Sequence, residues 1–274
     1  MNQVSSKKNS AIFLFTSIIL LVFAPICSFG YNYSLSKVVT YSNIGVLVDK
    51  QLNTFAFNAK GFKKLSKDGT LLHNYISNET GDILSMDVDP SGRVIILFDV
   101  GTIVIWNNTY AEIGRFSVLN LEITEAIHVT FSSDGGFWVY DGVEDILKRF
   151  DITGKVKFRG KEIKLPSGQN LDPTHIQESA GKVYVTDPNL GIFVFDSYGN
   201  LVKEHGLQGI YRFQVNNDIL VYASEAKVYS MNLTTYKKIE ITGFITDLLP
   251  TQACFAGSNL VLADERKIVF FKNE

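Results

Sequence analysis

Carboxylates recur at matching places along this chain. Asp99, Asp141 with Glu144 and Asp145, Asp187, Glu225, and Asp264 with Glu265 each end or follow a β-branched or aromatic run. If these loops converge, their oxygens suit a hard cation, which takes carboxylate and carbonyl ligands, or a basic partner. An aspartate at a strand end also accepts hydrogen bonds from its own turn. The repetition favours that structural role, because a catalytic site breaks the symmetry of a repeat and a structural device follows it. The candidate binding rim is Asp99, Asp141, Asp145, His175, Asp187 and Asp264.

His128 and His175 fall in or beside the apolar runs Ala126-Ile-His-Val129 and Pro173-Thr-His-Ile176. Each has the chemistry of a metal ligand or general base, or of a packed, hydrogen-bonded ring. His175 follows Asn170 and Asp172, a polar group around it. On a metal reading, Glu125, Asp141, His175 and Asp187 hold one divalent cation such as calcium or zinc; the preferred reading has no cofactor. His73 and His205 are expected on outer, solvated strands. Trp106 and Trp138 sit inside strand patterns and are read as core. Lys148-Arg149 and Lys155–Lys161 are read as a solvated basic face. The chain has no Gly-x-Ser-x-Gly elbow, P-loop, His-Glu-x-x-His or Cys-x-x-Cys, which argues against common hydrolases and nucleotide enzymes.

The elements that position these residues are strands. No sustained i, i+3, i+4, i+7 apolar stripe follows residue 31, and short β-branched and aromatic runs alternate with Gly, Asp, Asn and Ser. One phrase recurs: a strand ending in a small or acidic residue, a short loop, a second strand, a polar Gly turn. Residues 182–200 carry it most fully, and 93–106, 136–154, 218–231 and 259–271 repeat it. The period of about 36 to 46 residues suits a four-stranded propeller blade. A weaker unit lies at 43–77, with strands near 44–49, 54–58, 61–66 and 70–76, making six blades. The last unit holds strands 245–249, 259–263 and 267–271 and then ends. The orphan strand Ser36–Tyr41 is expected to complete it and close the ring. The fold class is therefore all-β: a six-bladed propeller of four-stranded antiparallel blades in one domain, 31–274.

Residues 182–206 carry Val183-Tyr-Val-Thr-Asp187, Asn189, Val194-Phe-Asp196, Gly199 and His205-Gly206. This phrase resembles an NHL repeat, and the chain is similar to the NHL and gluconolactonase-like class of six-bladed propellers. The resemblance implies the fold. NHL-type rings are mostly interaction platforms, and some six-bladed relatives are metal-dependent lactonases or lyases.

Composition sets the outer bounds. Of 274 residues, 46% are hydrophobic and 20% charged, which excludes wholesale disorder. The net charge of −2 argues against a nucleic-acid partner. Lys7 and Lys8 precede the apolar run Ala11–Ala24, then Pro25 and Cys-Ser-Phe-Gly30. That is the order of a secretory signal, expected to be cleaved after Gly30. The run is shorter than a membrane span, so the mature chain is expected in the periplasm or outside the cell. Only Cys254 remains in it, read as a small buried hydrophobe. The reading that follows is a non-catalytic platform for a protein or glycan, held on one loop face. The alternative is a metal-dependent lactonase or lyase with its cation at the channel mouth.

Overall fold

In a sheet solvated on one side, apolar and polar residues alternate along each strand. A run such as Val94–Phe98 is apolar throughout and wholly buried, so both of its faces are covered. Phe137–Asp141, Ile146–Phe150 and Gly191–Phe195 are likewise wholly buried, although the first ends in Asp141 and the second holds Lys148 and Arg149. Sheets stacked face to face around a ring meet this demand.

The computed structural model describes residues 32–78, 81–165 and 168–274. The expected signal segment, 1–30, lies outside the described residues. Strand β1 is Tyr33–Thr40. Blade 1 is β2–β5, at Gly45–Val48, Thr54–Asn58, Gly61–Leu65 and Leu71–Ile76. Blade 2 is β6–β9, at Ile83–Val88, Val94–Phe98, Thr102–Trp106 and Glu112–Ser117. Blade 3 is β10–β13, at Ala126–Phe131, Phe137–Asp141, Ile146–Phe150 and Val156–Arg159. Blade 4 is β14–β17, at His175–Ser179, Lys182–Asp187, Gly191–Phe195 and Leu201–His205. Blade 5 is β18–β21, at Phe213–Asn216, Ile219–Ser224, Lys227–Asn232 and Lys238–Glu240. Blade 6 is β22–β24, at Gln252–Ala256, Asn259–Ala263 and Lys267–Asn273. Each blade is a four-stranded antiparallel sheet, and blade 6 takes β1 as its outer strand, in the order β1-β24-β23-β22. The ring is therefore closed by an N-terminal strand, with the six-bladed architecture expected. The first strands of successive blades, β2, β6, β10, β14, β18 and β22, neighbour one another and line a central channel.

Six apolar clusters fill the six seams. Ile95 and Leu97 of β7 face Val129, Phe137 and Val139 of blade 3. Their neighbours Ile96 and Phe98 face Phe55, Phe57 and Phe62 of blade 1. Alternation along one strand thus feeds two seams, which is why the run is apolar throughout. Trp138 packs with Val183 and Phe195 in the seam between blades 3 and 4, and Trp106 lies in the seam between blades 1 and 2.

Three expectations need correction. The inner strand of blade 6 is Gln252–Ala256, and 245–249 is irregular, with Ile245 93% and Leu249 71% exposed. Gly243 and Pro250 bracket that segment, and Cys254 sits where the turn into β23 requires an inner strand. Lys148 and Arg149 are buried, because β12 is a third strand with seams on both sides; only Lys155–Lys161 faces solvent in part. His73 and His205 lie on the outer strands β5 and β17 as expected, but His205 is buried against Tyr236, and His73 is half-buried, stacked on Tyr110 at 4.0 Å between ring centroids. Among the described residues, no helix is long and apolar enough to cross a membrane.

Candidate functional site

The channel has two mouths. The lower mouth is where the first strands begin, beside the turns joining second to third strands. The upper mouth is where the first strands end.

The strand-end acids lie around the lower mouth and hold backbone. Asp99 Oδ1 accepts the Asp82 N–H at 2.9 Å. Asp141 accepts from Thr124 at 3.0 Å and Glu125 at 3.3 Å. Asp187 accepts from Asp172 and from Asn189 of its own turn. In three blades the same carboxylate thus ties a turn to the segment that enters the inner strand. Asp264 caps Arg266 and Lys267 in its own turn, and its carbonyl accepts from Asn43 in the connection to blade 1. Ser224 stands at this place in blade 5. Asp145 accepts from the Tyr140 hydroxyl, and burial raises its pKa. Burial pushes Asp141 upward too, but the Thr124 N–H and the Lys148 ammonium hold it below the usual carboxylate range.

Glu125, Asp141, His175 and Asp187 all lie at this mouth. Asp141 is already bound to Lys148 at 2.9 Å and to two backbone donors. Among the described residues, no three His, Cys, Asp or Glu side chains converge as metal ligands. His128 and His175 are on the inner strands β10 and β14 and are buried. His128 Nε2 meets the Pro173 carbonyl at 3.0 Å. Burial, and secondarily the charge of Arg212, pulls its pKa down to about 4. Both rings are neutral at physiological pH.

The inner strands do not pair with each other, so their facing backbone groups need other partners. A belt of side chains supplies them. Phe131 N–H donates to Asp87 at 2.8 Å, Val215 N–H to Gln177 at 2.8 Å, Phe255 N–H to Gln214 at 2.8 Å and Val46 N–H to Gln252 at 2.9 Å. Each bond ties one blade's inner strand to the next. The glutamines at 177, 214 and 252 were the signal of this belt in the sequence.

Above the belt, the six turns from first to second strands wall a vestibule of about 1010 Å³ at the upper mouth. Lys50, Arg93, Ser133, Glu178 and Asn216 supply polar groups from five blades, and Phe255 an aromatic edge from the sixth. None of these belongs to the rim of acids expected to bind. A void of about 30 Å³ marks the channel's waist below.

Asp87 forms part of the vestibule floor. Burial raises its pKa to about 6, against the pull of the Thr130 hydroxyl and the Phe131 N–H. A folded-state pKa above the unfolded value means that the native state holds this proton more tightly. Stability is then lost as pH rises from about 4 through about 6. Asp87→Asn keeps an acceptor and removes the charge. It should gain about 2 kcal/mol on the native protein between pH 4 and pH 7.5, read by urea denaturation at both values. An equal difference at the two pH values would refute this account of Asp87.

The fold and its two mouths define a six-bladed β-propeller, and the NHL and gluconolactonase-like resemblance agrees with that architecture. No family model and no curated protein matches the chain. Solved structures do. Virginiamycin B lyase from Staphylococcus aureus shares 13% identity, with 89% of this chain and 100% of that chain covered and a TM-score of 0.58. A streptogramin B lyase shares 14%, covering 84% and 78%, with a TM-score of 0.56. BBS1N in complex with ARL6DN shares 14%, covering 85% and 79%, with a TM-score of 0.55. At such identities the likeness is one of fold.

Proposed function

We propose that this protein is an exported, non-catalytic β-propeller that receives a protein or glycan in the vestibule at its upper mouth. The observation that carries the reading is the 1010 Å³ cavity, walled by turns from every blade and offering charged, amide and hydroxyl groups around an apolar wall. A concave site with a few polar groups on a rigid scaffold suits recognition. At the lower mouth, Asp99, Asp141, Asp187 and Asp264 are occupied by backbone donors, so they act there as staples rather than as ligands. A propeller of similar fold, BBS1N, is in complex with a protein partner. Export rests on the basic start and short apolar core of residues 1–30.

The test compares the mature protein with a Lys50→Trp, Ser133→Trp, Asn216→Trp variant, which crowds three of the six turns. A control carries Val100→Ser and Val143→Ser at the lower mouth. Immobilised on beads, each is exposed to envelope or culture extract and to a glycan array. The variant should retain its bound component at least tenfold less well, and the control should retain it fully. Equal retention by the variant would refute the vestibule reading. One tightly held divalent cation per chain, by elemental mass spectrometry, would instead favour the lyase-like alternative.

A further inference from the structure

Arg212 is the one half-buried guanidinium of the described residues that lacks a carboxylate. Arg93 pairs with Asp89, Arg149 with Asp134, Arg115 with Glu112 and Arg159 with Glu144. Arg266 is exposed. Arg212 stands just before β18 at the lower mouth. Its side chain reaches across the channel to the Phe57 ring of blade 1, 5.2 Å from the centroid. Gly45 makes room for this contact. A Cβ there would lie 2.2 Å from the Phe57 ring and 2.8 Å from Arg212 Cζ.

The hydrogen bonds of the group are as unusual as its charge. Arg212 Nη1 donates to His175 Nδ1 at 3.3 Å. Arginine only donates, so Nδ1 is the bare nitrogen and the neutral ring carries its proton on Nε2. That Nε2 is buried with no hydrogen-bond partner, on a residue only 5% exposed. The remaining donors of the guanidinium meet no protein acceptor among the described residues. The ionisable groups that face it are His128, His175 and Cys254. None is an anion at neutral pH: an imidazole carries no negative charge in either of its ordinary forms, and burial pushes the Cys254 thiol up to about 12. A partly desolvated cation without a counter-ion is costly, and an anion brought to it recovers that cost.

We infer that Arg212, positioned by His175 and backed by Phe57, is a binding site for the carboxylate of a small organic or sugar acid at the lower mouth of the channel. A planar fork of N–H groups matches a carboxylate in two parallel bonds. Phe57, wholly buried, backs the guanidinium, and the exposed Tyr211 beside it suits the carbon skeleton of such an acid. The site is at the opposite end of the channel from the vestibule and does not depend on the function proposed there.

The test follows the imidazole nitrogen resonances of His175, assigned through His175→Gln, while the mature protein is titrated. The probes are acetate, glucuronate, glucose and inorganic phosphate. Acetate and glucuronate should shift His175 saturably, and glucose should not. Tighter binding of glucuronate than of acetate would identify a sugar acid as the source, and equal binding a simple organic acid. Arg212→Gln should weaken both at least tenfold. Arg212→Lys, which keeps the charge and loses the fork, should fall between. No saturable shift, an unchanged response in Arg212→Gln, an equal response to glucose, or phosphate binding tighter than either carboxylate would overturn the assignment.

Discussion

A chain cut to begin at Tyr41, without β1, should fail to hold a closed ring. The strand pairs with β24 from Tyr33↔Asn273 to Thr40↔Lys267, and no other segment of the described residues fills that place. Its removal opens the ladder edge of β24, whose residues Ile268–Phe271 are apolar and buried. It also takes Tyr33 out of the cluster that packs blade 5 against blade 6. A propeller avoids association by leaving no long free apolar edge. The expected loss is 5 kcal/mol or more, on the order of the whole stability of a domain. Light scattering after gel filtration should show soluble aggregates, and urea unfolding should lose its single cooperative transition. A monomer with a native-like transition would show that β1 is an accessory strand.

That closure was legible in the sequence. Ser36–Tyr41 stood alone before the first unit, and the last unit ended one strand short. The strand itself is Tyr33–Thr40, three residues earlier in its start, because Tyr33 is drawn into the core of a neighbouring seam. Blades were legible because two-sided burial and glycine turns are local signals. The inner strand of blade 6 was missed because Ile245–Leu249 carries three large aliphatic residues, while Gln252–Ala256 is chosen by its neighbour: the Gln252 amide accepts the Val46 N–H of the adjoining blade. The sites were less legible for the same reason. The strand-end acids are a true repeat, but their partners lie in another segment of chain. Arg212 sits in a connection with no motif around it. Its meaning comes from Phe57 and His175, far away in sequence and adjacent in space.

Replacing Lys148 by methionine should be among the most damaging single substitutions in the barrel of blades. Its side chain is 3% exposed and that of Asp141 is fully buried. The ammonium donates to Asp141 at 2.9 Å and to the Glu122 carbonyl at 2.6 Å, and lies 2.6 Å from Glu144. Removing it leaves Asp141 an uncompensated anion in a dry place. Breaking such a pair costs about 3–5 kcal/mol. At roughly 2–4 °C per kcal/mol for a domain of this size, the midpoint should fall by about 10 °C. Adding Asn at Asp141 removes the stranded charge while keeping an oxygen for the Thr124 N–H. The double variant should therefore recover most of the loss, and a double-mutant cycle should give strong coupling. The pH dependence has a fixed sign. In the native protein Asp141 titrates below the usual carboxylate range, so its contribution is lost only as pH falls through that low value. In Lys148→Met the same carboxyl, freed of its cation and still buried, takes a proton more readily. The gap between variant and native protein should then narrow on acidification from pH 7 to pH 4.5. A single-variant loss under about 1 kcal/mol, the scale of an exposed pair, would show that water reaches this pair and that the lower rim is not held by it.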